Sequence, residues 1–231
     1  MTETSKLDTV LAPEAHMGTV TLRVRDLDAM TAYYSDVITL DVLASSPASL
    51  TLGRDNVPVV TLEHAPELQH AGPRESGLFH TAILFESQAA LAAAVFSVAS
   101  KSPGTFTGSS DHLVSQAFYF TDPEGNGIEL YWDRQRTAWS WAHGAIEMDT
   151  LFLDPNAFLE EHLTEAGAAE PRIGGTTVGH VHLSIGDIGA AREFYVKHLG
   201  FDETLEWNGA ALFVSAGGYH HHVGLNIWNS R

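Results

Sequence analysis

Two stretches of the chain alternate strictly between apolar and polar residues. After Gly18, Val20, Leu22 and Val24 alternate with Thr19, Thr21 and Arg23; after Gly179, Val181, Leu183 and Ile185 alternate with His180, His182 and Ser184. A period of two predicts a strand with one face on a core and one polar face. A helical pattern follows each strand. Asp26 or Asp28 in the first stretch, and Asp187 in the second, suit the N-cap. Gly200 suits the stop after Phe194, Tyr195 and Leu199. Further apolar runs come next: "ASLTLG" and "PVVTLEH", or "AALFVSAGG" and "HHVGLNIW".

The two stretches are copies of one unit. Without a gap, Gly18, Val20, Leu22, Asp26, Ala29, Tyr34 and Asp41 match Gly179, Val181, Leu183, Asp187, Ala190, Tyr195 and Asp202, the signature of an internal repeat. A more diverged copy lies between them. It has a strand over Phe79 to Phe85, an alanine-rich helix from about Gln88, and the runs "QAFYFT" and "GIELYW" joined by the turn-rich "DPEGNG". The expected fold is therefore α+β, built from repeated βαβββ modules that pair into cupped sheets. Residues 16–65 and 77–132 form an N-terminal pair of modules. Residues 133–176 form a connector with a short helix opened by Asp154 and Pro155, and 177–231 hold the third module. A module of this shape buries one sheet face and needs a partner, so an odd number predicts a fourth module after the third or pairing across a dimer; a homo-oligomer is expected.

Composition narrows the function. Twenty-nine acidic residues against 12 basic ones give a net charge of −17, which disfavours nucleic-acid backbones and anionic membranes as partners. No run approaches the roughly 20 apolar residues of a membrane span, and no secretory leader is visible, so the expected location is the cytoplasm. Cysteine is absent, which excludes disulfides, thiolate metal sites and thiol nucleophiles. The 13 histidines become the main transition-metal ligands on offer.

Aligning the modules shows where those ligands fall. The first position of the polar strand face is Thr19, His80 and His180 in turn. The matching position of the last strand is Thr61 in the first module, Glu129 in the second, and near Asn226 in the third. A lone strand histidine is ordinarily a core or edge residue. Three ligand-type residues at repeat-equivalent positions form a pattern, and if the second and third modules pair face to face, His80, His180 and Glu129 converge. Two imidazoles and a carboxylate on one side of a metal leave positions open for Fe(II) and oxygen chemistry. His112 and Tyr119 approach the same place, and His182 shares the polar face of His180.

With these residues in view, the repeated module, "GHVHLSI…FYVKHLGF" and "DPEGNGIELYW" resemble the vicinal oxygen chelate superfamily of glyoxalases, bleomycin-resistance proteins and extradiol dioxygenases. "DHLVSQAFYFTDPEGNGIELYWDR" and "SAGGYHHHVGLNIW" resemble its catechol 2,3-dioxygenase-like branch. The resemblance implies an extradiol ring-cleaving dioxygenase taking an aromatic diol and O2, with Fe(II), or Mn(II), on His80, His180 and Glu129. It implies that Tyr119 and His112 bond the substrate and that a histidine of the "YHHHVGL" segment is the acid–base catalyst. Strand parity from Val223, Leu225 and Ile227 puts His222 in the pocket; the family pattern favours His221. Two alternatives within the fold are a glyoxalase-like isomerase or lyase, which would need a second carboxylate, and a metal-free small-molecule binding protein, which would need no ligand set.

Overall fold

The computed structural model of the chain describes residues 11–72 and 74–230. Its first sheet has four strands, β1 (Val20–Val24), β2 (Asp41–Ser46), β3 (Ser49–Arg54) and β4 (Val57–His64), in the order β1-β4-β3-β2. The Asp26 side chain accepts from the Ala29 N–H to start α1 (Leu27–Ala32), which widens into a π-helical turn over Tyr33–Val37.

A second set follows: β5 (Gly77–Phe85), α2 (Gln88–Lys101) with Ser87 as its cap, β6 (Phe106–Asp111), β7 (Ser115–Thr121) and β8 (Gly127–Asp133). The turn before β8 is tied by Asp122, whose carboxylate accepts from the N–H groups of Glu124 and Asn126. The connector holds three two-residue strands, β9 (Trp141–Ala142), β10 (Ala145–Ile146) and β11 (Leu151–Phe152). Its helices are α3 (Pro155–His162), capped by Asp154, and α4 (Glu165–Ala169), capped by Thr164. The last set is β12 (Thr176–Ser184), α5 (Ile188–Arg192) with Asp187 as cap and a π-helical turn over Glu193–His198, then β13 (Asp202–Trp207), β14 (Ala211–Ser215) and β15 (Val223–Asn226).

Strands β5 and β12 pair antiparallel and fuse the second and third sets into one curled nine-stranded sheet, β11-β6-β7-β8-β5-β12-β15-β14-β13. The sequence reading weighed these modules pairing face to face; they meet edge to edge, because each first strand offers the backbone groups on its outer edge to the other. β1, the third first strand, stays at the edge of its own sheet.

Alternation divides the large sheet into two faces. Ile83, Phe85, Phe118, Phe120, Ile128 and Leu130 point to the convex side, where α2 and the apolar residues of the first sheet complete one core. A second core joins Ile188 and Ala191 to Leu212, Val214, Val223 and Leu225. Burying such side chains contributes about 1.5–3 kcal/mol each. The concave face is left with the polar and aromatic residues.

A candidate metal centre at the sheet seam

Register brings the donors together. β5 and β8 run parallel with Ala82 opposite Glu129, and β12 sets His180 opposite that same Ala82 and His182 opposite His80. The pairing slips between Val178 and His180, a β-bulge at Gly179. Neither histidine opens its strand: β5 starts at Gly77 and β12 at Thr176, so both lie well inside the sheet.

His80, Glu129 and His180 are all buried, and one ligand atom from each lies within 4.8 Å of the others. Nε2 of His180 donates to Glu129 Oε2 at 3.1 Å. Nε2 of His80 is 2.9 Å from the same oxygen, yet its angles make no hydrogen bond and it is buried without a partner. Buried polar atoms are seldom left so. An orphaned imidazole nitrogen, a second imidazole and a carboxylate fit a divalent transition metal. Burial alone would raise the Glu129 carboxyl, but His180 and His80 beside it win and hold it well below the usual range. Burial pushes His180 down despite Glu129. An ionised carboxylate and a neutral imidazole are the ligand forms.

These groups form one wall of a cavity of about 1120 Å³, also lined by His182, Tyr119 and His221. His112 Nδ1 donates to the Asp149 carbonyl at 2.7 Å. Its Nε2 then accepts from the Tyr119 hydroxyl, also at 2.7 Å. Burial, and then Glu129, push the Tyr119 phenol well up, so it stays a donor.

The three consecutive histidines take three different roles. His221 lines the cavity, its ring centroid 4.1 Å from that of His180. Burial, and then the surrounding imidazoles, hold His221 well below the ordinary histidine value. His220 faces Asp133. His222 turns away, and its Nδ1 accepts from the Ala216 N–H at 3.1 Å. The parity argument that placed His222 in the pocket is corrected here. β15 begins only at Val223, and residues 219–222 are irregular backbone, so the strand period does not extend through them.

The same register settles which residue matches Glu129 in the other sets. Thr61 pairs with Thr21, and Gly224 pairs with His182. The third set therefore has glycine where a second carboxylate would sit, two positions before Asn226. A Cβ there would lie 3.0 Å from the His182 ring, so the missing side chain is what makes room for that imidazole.

Sequence reasoning did not single out Asp133, Tyr219 or Tyr131 as parts of the site. The signal was present for two of them: Glu129, Tyr131 and Asp133 share one face of β8 by parity. The Tyr131 hydroxyl sits over Gly179, where a Cβ would come within 1.6 Å of it. Trp139 packs on Tyr219 and His220 with ring centroids 5.8 and 5.3 Å away.

A curled sheet of repeated βαβββ units carrying a buried His–His–Glu cluster on its concave face defines a class. Residues 16–130 and 177–227 match the model of the Glyoxalase/Bleomycin resistance protein/Dioxygenase superfamily. The chain belongs to this superfamily, the vicinal oxygen chelate proteins of the sequence reading. It is similar to the protein named Catechol-2,3-dioxygenase of Bacillus subtilis (strain 168), with 38% identity over 227 residues, 96% of this chain and 78% of that protein. A solved structure from Bacillus subtilis subsp. subtilis str. 168 superposes with a TM-score of 0.59 at 16% identity, over 93% of this chain; the chain spans 64% of that structure's length. The cppA protein of Streptococcus pneumoniae TIGR4 superposes with a TM-score of 0.53 at 11% identity, over 91% of this chain and 98% of its own. At these identities the likeness is one of fold. Among the described residues, no helix is long and apolar enough to cross a membrane.

Proposed function

We propose that the chain is an extradiol ring-cleaving dioxygenase acting on catechol or a substituted catechol with Fe(II) and O2. The observation that carries this is the convergence of His80, His180 and Glu129 within 4.8 Å on one wall of a large cavity. A relative that shares 38% of its residues and is named for this activity supports it. Two histidines and a carboxylate would hold Fe(II), with Mn(II) as the other candidate. The metal, when bound, would supply a place for two vicinal hydroxyls and dioxygen together and a path for electrons between them.

The chain's own residues handle the rest. Tyr119 and His112 form a donor–acceptor pair beside Glu129 and orient a substrate oxygen. His221 lies on the cavity wall, where it takes a proton from a substrate hydroxyl and returns one during ring opening; such a group contributes about 10²–10⁴-fold. His222 serves as a backbone clamp. Phe79 packs edge to face on both His182 and Trp228, and His182 lies tilted against Trp228, with ring centroids 5.2–5.5 Å apart, an aromatic side against which a substrate ring would rest.

The test is anaerobic purification, addition of Fe(II) and catechol, and measurement of oxygen uptake and of a yellow ring-opened product. A His180→Ala variant should lose both iron and turnover. Loss of iron with turnover intact would sink the assignment. Isomerase activity with Ni(II) or Zn(II) would favour the glyoxalase-like alternative, and catechol binding with no metal in the protein would favour the binding-protein alternative.

A further inference from the structure

Behind His221 a line of hydrogen bonds runs to the far end of β8. His220 Nδ1 is 2.7 Å from His221 Nδ1, and His220 Nε2 is 3.0 Å from Asp133 Oδ1. The other Asp133 oxygen accepts from the Tyr219 hydroxyl at 2.7 Å. The Tyr219 oxygen lies 2.7 Å from that of Tyr131. With both imidazoles neutral, the donor and acceptor inventory of these groups assigns each proton. Tyr219 has one proton and spends it on Asp133, so Tyr131 donates to Tyr219. A carboxylate only accepts, so His220 donates from Nε2. A neutral His220 then offers a lone pair at Nδ1, so His221 donates from its own Nδ1. With His220 in that form, a bare Nδ1 on His221 would set two lone pairs against each other at 2.7 Å.

We propose that Asp133 and His220 are positioning residues that lock His221 in one tautomer, with its proton on Nδ1 and a bare Nε2. No group of the described residues hydrogen-bonds that Nε2, and its ring lines the cavity. The arrangement generalises the way a buried carboxylate sets the tautomer of a catalytic imidazole, with a second imidazole inserted between the two. It is held from all sides. The Thr204 hydroxyl donates to the His220 carbonyl at 2.7 Å. Tyr219 and Trp139 pack against the His220 ring, with centroids 4.1 and 5.3 Å away. One face of β8 thus supplies a metal donor (Glu129), a strut (Tyr131) and the anchor of the relay (Asp133). The inference rests on the proposed function only for the use made of the bare nitrogen.

The experiment is nitrogen NMR of the full chain with isotope-labelled histidine, metal-free and loaded with Zn(II), with His221 assigned by its loss in His221→Gln. The expected wild-type result is a proton on Nδ1 of His221. In Asp133→Asn the new amide keeps its oxygen for Tyr219 and turns its nitrogen to His220. Both imidazoles then invert, and the His221 proton moves to Nε2. A wild-type proton on Nε2, or a folded Asp133→Asn with the proton still on Nδ1, overturns the proposal. If Asp133→Asn does not fold, His220→Leu replaces it: mixed tautomers at His221 support the lock, and an unchanged single tautomer refutes it. In ring cleavage, Asp133→Asn should lower kcat by about 10²-fold or more with KM little changed. A wild type that cleaves no catechol yet carries its proton on Nδ1 removes the proposed function and keeps the lock.

Discussion

Replacing Gly179 with alanine inserts one methyl group where the structure has no space. The new Cβ would come within 1.6 Å of the Tyr131 hydroxyl and 2.7 Å of the ring carbon bearing it. Tyr131 is fully buried and cannot swing out. Its ring lies 4.9 Å from that of His180, and its hydroxyl bonds Tyr219 at 2.7 Å. The ring must retreat and give up that bond. Overpacking of this kind costs about 1–3 kcal/mol, and a broken buried hydrogen bond costs about 1–3 more. A loss near 3 kcal/mol lowers Tm by roughly 6–12 °C in a chain of this size. Thermal unfolding of the metal-free protein measures it. A Tyr131→Phe change in the same chain removes the nearer clash and should recover part of the loss, a coupling that a double-mutant cycle reads directly. A Gly179→Ala protein that melts with the wild type, or a double variant no better than the sum of the singles, would refute the contact argument.

Other consequences can be tested alongside. Fe(II) at about 100 times its Kd should stabilise the metal-free protein by about 2.7 kcal/mol. The shift should vanish in Glu129→Gln and reverse on adding a chelator; an unchanged shift in that variant would place the metal elsewhere. Burial, and then His220 and Arg136, push the His222 pKa from 6.5 down to about 4. The folded state therefore keeps the benefit of a neutral His222 above pH 6.5 and loses it as pH falls toward 4. The loss should be roughly 2 kcal/mol after allowance for solvent screening. Urea unfolding across that range should show a slope that His222→Gln flattens, and superimposable profiles would show that His222 is not its source.

Local chemistry made most of the secondary structure legible. Asp26, Asp154 and Asp187 each accept from N–H groups in the first turn of a helix, the bond that makes such residues good starts. His80, Glu129 and His180 stood out because a repeat puts like functions at like places. What escaped depended on local irregularity or on contacts across the sheet. The choice between His221 and His222 turned on carrying a period of two through residues that are not a strand. The bulge at Gly179 has no signal beyond a glycine inside an alternating run. Asp133 looked like a strand end, and its importance comes from His220, 87 residues away. The pairing of the second and third modules edge to edge, with β1 paired only to β4 of its own sheet, is a choice among first strands that look alike in sequence.

The seam between β5 and β12 also sets an order of events. His80 and Glu129 lie on one side of it, and His180, 51 residues after Glu129, lies on the other. A nascent chain emerges from its N-terminus at about 5–20 residues per second, so for several seconds it carries two of the three donors and no third. Only after β12 has been made and zipped against β5 does a complete set exist. Under the proposed function, tight metal uptake would thereby be postponed until the large sheet is assembled, and a half-made polypeptide would be spared a redox-active ion it could not yet enclose.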